Sequence, residues 1–136
     1  ITIAETGHLV FATLHTNSAS QSIDRMVNVF PPHQQPQIKT ELANILMAIS
    51  AQRLIPAIGG GRVVASEILI ANAAVRNIIR EGKSNQLDNV IATSANEGMQ
   101  GMDKTLTQLV HAGQITYDQA KNYAIDLGDF ERMMRG

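Results

Sequence analysis

A short apolar run near the start of the chain constrains the fold more strongly than any other sequence feature. Residues 8–15 (HLVFATLH) are rich in strand formers, follow Gly7 and precede the turn-like segment Thr16-Asn17-Ser18. A run of this kind is typical of a strand that is buried on both faces. Ser18 and Gln21 then have the spacing of a capping box. Apolar residues follow at helical intervals, at Ile23, Met26, Val27 and Phe30. Strand, polar turn and capped helix together predict a βα unit of an α/β sheet.

Proline and glycine residues mark the next elements. Pro31-Pro32 ends the first helix, and Pro36 suits the first turn of a second helix. The apolar stripe of that second helix is assigned to Ile38, Leu42, Ile45, Leu46 and Ile49. Leu54-Ile55, the glycine turn Gly59-Gly60-Gly61 and the run 63–70 then predict a β-hairpin.

The second half of the chain has a helical pattern only. Asn72 favours a helix N-terminus, and Gly82 favours the end of the same helix. Thr116 and Gln119 have the spacing of a second capping box. We therefore expect short helices from residue 72 to residue 136.

Composition excludes several classes of site. The chain has no cysteine, so it forms no disulfide, zinc–thiolate site or thiol nucleophile. Its 11 basic and 12 acidic residues give a net charge of −1 without a block of like charge, which argues against broad binding to nucleic acid or anionic lipid. No apolar run approaches the ~20 residues that span a bilayer. The chain opens at Ile1 without an initiator Met, and we expect it to be part of something longer.

Polar residues cluster at the predicted carboxyl end of the first strand. Thr13, His15, Thr16 and Asn17 lie where open α/β sheets bind their ligands. An imidazole at this position can hydrogen-bond a phosphate or an attacking water. From spacing alone, however, a histidine that only flanks a core strand is the more common case, with His8 at the strand's entry. A metal site is disfavoured, because His33 and His111 fall in other elements and no carboxylate completes a ligand set.

A second candidate is the helical segment Ala74-Val75-Arg76-Asn77-Ile78-Ile79-Arg80-Glu81. Helical spacing places its three aliphatic residues on one face and gathers Arg76, Asn77 and Arg80 toward the other. Without further information this is an ordinary amphipathic helix with solvated arginines. Glu67 lies in the second predicted strand of the hairpin, and its sequence context indicates no chemical role. The final apolar stripe, at Phe130, Met133 and Met134, indicates packing or a subunit contact.

Several motifs together resemble one protein family. The segment from Gly7 to Ala19 (GHLVFATLHTNSA), here named the histidine box, is similar to the box of that name in secretion and pilus motor ATPases. The segment 74–81, here named the retraction motif, is similar to the AIRNLIRE motif of PilT-like ATPases, with Val75 for Ile and Ile78 for Leu. Further similarity lies at Ile23-Asp24-Arg25, Phe30 to Gln35, Ser66 to Leu69, Gly98-Met99 and Met102-Asp103. Over nearly its whole length the chain resembles the PilT-like type IV pilus retraction ATPases.

This resemblance implies a fold and a set of site residues. The fold would be α/β: a remnant of a RecA-like P-loop ATPase sheet with few strands in residues 1–71, followed by a C-terminal helical bundle in residues 72–136. His8 and His15 would correspond to the box histidines that lie near the γ-phosphate and assist hydrolysis, with His15 in the more direct contact. Thr13, Thr16 and Asn17 would support nucleotide binding. The retraction motif, with Arg76 and Arg80 as coupling groups, would link hydrolysis to pilus retraction.

The resemblance also implies cofactors, partners and a location. The intact enzyme would use ATP and Mg²⁺, and none is expected to bind tightly to this chain alone. Partners would be copies of the protein itself, hexameric in the family, and the pilus machinery at the inner membrane, reached from the cytoplasm. No nucleic acid and no direct membrane span are expected.

The sequence contains no G-x-x-x-x-G-K-[S/T] loop, and no acidic strand precedes the histidine box. We therefore expect the chain alone to be catalytically inactive. We also expect it to self-associate, through the segment 9–14 or the adjacent helices, because a lone strand leaves an edge and apolar faces uncovered. Two alternatives stay open. The chain is part of a pilus-assembly or type II secretion ATPase, or it is a non-enzymatic interaction module built from the helices after Asn72.

Overall fold

Eight α-helices surround one two-stranded antiparallel sheet in the structure, a computed structural model that describes residues 1–136. The helices are α1 (Thr2–Glu5), α2 (Ala19–Asn28), α3 (Gln35–Ile45), α4 (Ala73–Glu81), α5 (Leu87–Thr93), α6 (Met102–His111), α7 (Tyr117–Tyr123) and α8 (Leu127–Arg135). The strands are β1 (Ala48–Pro56) and β2 (Arg62–Ile70), and 3₁₀ turns span Ser84–Gln86 and Ala95–Glu97. The predicted α/β class is confirmed.

The predicted hairpin is present, and its turn needs glycine. β1 and β2 pair from Ala48 opposite Ile70 to Pro56 opposite Arg62. Gly60 and Gly61 have φ values of 91° and 74°, in the region that residues with a side chain rarely adopt. One face of the hairpin packs against helices, so Ala51 and Ile55 of β1 and Ala65, Glu67 and Leu69 of β2 are buried.

The second helix is shorter than its sequence stripe predicts. The stripe predicts that Ile49 belongs to that helix, but α3 ends at Ile45 and Leu46 is extended, with φ −61° and ψ 131°. Ile49 instead lies in β1 opposite Leu69. The stripe was misleading because an apolar residue four positions after Ile45 also fits the two-residue alternation of β1.

Local capping signals define the helix ends as the sequence predicts. The Asn72 side chain accepts a hydrogen bond from the Val75 N–H, and Gly82 ends α4 in the left-handed region with φ 68°. Thr116 and Gln119 form a complete capping box at α7. The first box differs: Ser18 accepts from the Gln21 N–H, but the Gln21 side chain accepts from the N–H of Asn17 rather than that of Ser18.

Two hydrophobic clusters share the hairpin as a common wall. The first joins α2, α3, α4 and α5 to β2 through fourteen buried residues, among them Ile23, Leu42, Leu69, Val75, Ile79, Leu87 and Ile91. The second lies over the other end of the hairpin and contains Ile55, Ala65, Met102, Leu106, Ile115, Ala120 and Phe130. β2 also contacts the helical half through a bridge between Ile68 and Gln100.

The predicted strand over residues 8–15 is not formed in this chain. The segment has no regular secondary structure, and its backbone joins no strand ladder. Leu9 and Phe11 expose 70% and 90% of their surface, so the prediction that this segment is buried on both faces is wrong for the chain as it stands. The physical reason is that a strand needs neighbours for its N–H and C=O groups, and neither strand of the hairpin pairs with this segment.

Candidate functional site

The loop of residues 15–18, here named the box loop, borders an open depression of about 440 Å³. The depression is lined by His15, Thr16, Gln21, Asp24, Arg25, Asn28 and Val29. Arg25 reaches back from α2, and its Nη1 donates to the His15 carbonyl over 3.3 Å. The imidazole of His15 is exposed at the rim. Six of the seven lining residues are polar, so the depression suits a polar ligand or water rather than an apolar one.

A chain of short hydrogen bonds fixes the box loop onto α2. The Ser22 hydroxyl donates to the Ser18 carbonyl over 3.0 Å, and the Thr16 and Ser22 hydroxyl oxygens lie 2.6 Å apart. Because Ser22 has a single hydroxyl proton, Thr16 must donate to Ser22. Thr16 therefore keeps only acceptor capacity toward a ligand, while its side chain is held in place.

The structure brings together some of the predicted site residues and not others. His15 and Thr16 line the depression, and Asn17 precedes the Ser18 cap, with its N–H donated to Gln21 Oε1 over 3.1 Å. His8 and Thr13 are exposed and do not line it. The Nδ1 atom of His8 lies 2.9 Å from the Thr6 hydroxyl instead.

Sequence reasoning missed Glu67, which lies directly behind the box loop. Its Oε1 accepts the N–H of Ala19, the first residue of α2, over 2.7 Å, and the side chain is 3% exposed. Burial raises the pKa of Glu67 above its ordinary value of 4.5. The N–H groups of Ala19 and Met102 oppose this rise, and the charges of Asp88 and Asp103 add to it. The only sequence signal was an acidic residue on the inward face of β2, where the other residues are apolar.

The raised pKa of Glu67 predicts how stability depends on pH. The folded chain holds the proton of Glu67 more tightly than the unfolded chain does, so this stabilising contribution is complete below pH 4.5. It is lost as the pH rises through the higher pKa of the folded state. We expect Glu67→Gln to remove this component and to flatten the decrease in unfolding free energy above pH 4.5, measured by urea denaturation from pH 4 to pH 8. Glu5→Gln changes an exposed carboxylate and is the control; equal slopes for wild type and Glu67→Gln would contradict the prediction.

The retraction motif forms most of α4 and divides into two faces. Val75, Ile78 and Ile79 are buried in the first cluster, as the sequence predicts. The arginines are not simply solvated: Arg76 Nη1 donates to the carbonyls of Ala43 and Asn44 in the last turn of α3, the second over 2.8 Å.

Arg80 extends this contact between the two helices. Its Nη2 donates to Asn44 Oδ1 over 3.0 Å, so both arginines of the motif bind the C-terminal end of α3. A cation there satisfies carbonyls that lack helical partners and interacts favourably with the helix dipole. Ala74, Asn77 and Glu81 are exposed on the outer side of α4.

No group of three or more His, Cys, Asp or Glu residues in the chain is placed to hold a metal ion. No helix is both long enough and apolar enough to cross a membrane.

Comparisons with known proteins all find secretion-system and pilus-retraction proteins. Residues 1–60 match the family model described as Type II/IV secretion system protein. The type IV pilus retraction ATPase PilT of Pseudomonas aeruginosa is 47% identical over 124 residues, which cover 91% of this chain and 36% of that protein. A twitching motility protein of Neisseria gonorrhoeae is 46% identical over 125 residues, covering 91% of this chain and 33% of that protein. The chain thus spans about a third of the length of these relatives.

A solved structure agrees with these relatives. The pilus retraction motor PilT with bound ADP superposes with a TM-score of 0.81 at 46% identity, covering 92% of this chain and 35% of that one. The predicted resemblance is confirmed: over most of its length, the chain is homologous to part of the PilT-like type IV pilus retraction ATPases.

Proposed function

We propose that the chain is part of a motor ATPase that powers type IV pilus retraction, to which it supplies the histidine box. The observation that carries this proposal is the grouping of His15, Thr16 and Arg25 around one polar depression at the start of α2. This grouping accompanies homology to proteins described as retraction ATPases. ATP hydrolysis, retraction and twitching motility are properties that we propose for the intact protein.

Side chains, rather than the helix N-terminus, would contact the nucleotide. A free helix N-terminus binds phosphate through its unsatisfied N–H groups. In α2, however, the N–H groups of Ala19 and Gln21 already donate to Glu67 and Ser18, and that of Asn17 donates to Gln21. We therefore assign the exposed imidazole of His15, which lies beside Arg25 at the depression, as a donor to a γ-phosphate oxygen or to the attacking water.

The other box residues have supporting roles. Thr16 offers an acceptor, Asn17 shapes the turn, and His8 and Thr13 complete the box as further contacts of the nucleotide or of a neighbouring subunit. The depression is lined by one carboxylate, that of Asp24, and no group of three or more His, Cys, Asp or Glu residues in the chain is placed to hold a metal ion. ATP and Mg²⁺ are therefore assigned to the intact enzyme, where the metal would neutralise phosphate charge.

The retraction motif would couple hydrolysis to the pilus. Its aliphatic residues and Arg76 hold α4 against α3, which leaves Ala74, Asn77 and Glu81 exposed for a partner. The proposed partners are further copies of the protein in a hexameric ring and the pilus machinery on the cytoplasmic side of the inner membrane. The exposed apolar segment 9–14 is the proposed contact through which the chain alone self-associates.

A hydrolysis assay on the complete product of the gene tests this function. We expect His15→Ala to lower kcat for ATP roughly 10-fold, because one donor to the developing phosphate charge is lost. His33→Ala is the matched control, since His33 is exposed outside the depression. The 136-residue chain alone should show no activity. Unchanged hydrolysis by His15→Ala, or equal losses in both variants, would refute the assignment.

A further inference from the structure

Glu67 is a buried acidic residue that has no cationic partner. Its side chain is 3% exposed, it forms no salt bridge, and its pKa is raised. A carboxylate buried without a cation costs stability relative to an apolar residue of similar size. A contribution to stability therefore does not explain why position 67 is a glutamate, and the contacts of its side chain indicate a different role.

Glu67 contacts the start of the helix that carries the box loop, in addition to the N–H of Met102 at the start of α6. Its Oε1 accepts the N–H of Ala19, a residue 48 positions away in the chain, over 2.7 Å. Ala19 follows the cap Ser18 directly, and the Ser18 carbonyl accepts from Ser22, which in turn accepts from Thr16. The acceptor on β2 therefore anchors a hydrogen-bonded series that ends at Thr16, next to His15.

The strand that carries Glu67 is itself held by hydrogen bonds from Gln100 and Thr105. The Thr105 hydroxyl and the Gln100 side-chain amide both approach the Ser66 carbonyl, at 2.7 Å and 3.3 Å. The backbones of Ile68 and Gln100 exchange hydrogen bonds of 2.7 Å and 3.0 Å. β2 is thus held on both sides of residue 67, which gives the carboxylate a rigid base.

We propose that Glu67 is the positioning residue of the box loop: it holds the first peptide of α2 so that Thr16 and His15 stay at the depression. It acts through the loop and does not touch the nucleotide. What the loop then does rests on the proposed function, but the positioning itself is a structural claim that is measured separately.

Amide hydrogen exchange on the 136-residue chain tests the positioning. Glu67→Leu removes the acceptor, so exchange at the Ala19 amide should accelerate roughly 10- to 100-fold relative to wild type. The backbone resonances of His15 and Thr16 should shift as well. Glu67→Gln retains an acceptor oxygen, so its Ala19 exchange should stay within about 3-fold of wild type.

Thr107→Val is the matched control for a general loss of stability. Thr107 is buried, and its hydroxyl donates to the Asp103 carbonyl within α6, so the lost hydrogen bond involves neither β2 nor Ala19. We expect this variant to leave the box-loop resonances unchanged. Wild-type exchange at Ala19 in Glu67→Leu, or equal changes in Glu67→Leu and Thr107→Val, would overturn the proposal.

Activity provides a second readout in the complete gene product. Glu67→Leu should lower kcat for ATP roughly 10-fold with little change in KM, because the donor is misplaced while the remaining nucleotide contacts persist. Glu67→Gln should restore kcat, and Thr107→Val should retain it. If His15→Ala has wild-type hydrolysis, the proposed function fails, whereas the exchange result still decides the role of Glu67. A full kcat in Glu67→Leu together with a mobile Ala19 amide would overturn the catalytic consequence.

Discussion

Replacing Phe130 with alanine should lower the free energy of unfolding by about 3–5 kcal/mol. Phe130 has no exposed surface and lies in the second cluster with Ile55 and Leu106. Its ring also packs against that of Tyr117 at a centroid distance of 5.6 Å. The loss comprises the apolar surface of the ring and the cavity left between α6, α7 and α8. Urea denaturation followed by circular dichroism measures it.

Phe11 provides a control of the same residue type. It exposes 90% of its surface, so Phe11→Ala should change the free energy of unfolding by less than about 0.5 kcal/mol. The comparison is best made at low protein concentration, where self-association through segment 9–14 does not contribute. A cost for Phe11→Ala that approaches that for Phe130→Ala would mean that the histidine box is buried in solution, contrary to the structure.

Replacing Arg76 with methionine should cost about 2–3 kcal/mol of stability. Methionine keeps much of the apolar stem and removes the guanidinium, so the carbonyls of Ala43 and Asn44 at the end of α3 lose a charged donor. Because Arg76 joins α3 to α4, the loss should appear first as faster amide exchange in the last turn of α3. Thermal unfolding and site-resolved exchange together measure it.

Arg80→Met is the matched control within the same motif. Arg80 is exposed and makes one hydrogen bond, to Asn44 Oδ1, so its loss should cost no more than about 1 kcal/mol. Equal losses of unfolding free energy for Arg76→Met and Arg80→Met would contradict this difference between the two arginines. A stable Arg76→Met protein that has lost retraction in cells would instead assign Arg76 to a partner contact.

Sequence reasoning succeeded where the signal was local. The glycine turn at 59–61 and the caps at Asn72 and Thr116 depend on neighbouring residues only, and all three are found. It failed where an element depends on distant partners. Residues 8–15 have the composition of a buried strand, but composition does not supply the adjacent strands that would bury it.

The residues that line the depression could be named in part from the sequence, but the hydrogen-bond partners that hold them in place could not. The resemblance singled out His15 and Thr16, which line the depression. The acceptor behind the box loop was not predictable, because Glu67 and Ala19 are 48 residues apart and neither belongs to a motif that pairs them. The contact of Arg76 with α3 was missed for the same reason, since helical spacing identifies the face of a residue but not its neighbour.

The shared hairpin limits how the chain can move. Leu69 belongs to one cluster, while Ile55 and Ala65 belong to the other, so both clusters depend on the same register of β1 against β2. Sliding one strand by a single residue would turn every inward side chain outward. Shear along the strands would therefore disrupt both clusters at once, so the register of the hairpin is strongly specified. A rotation of the C-terminal helices would then reach the box loop through the hairpin as a whole, because the Ile68–Gln100 bridge joins β2 to those helices and the Glu67–Ala19 bond joins it to α2.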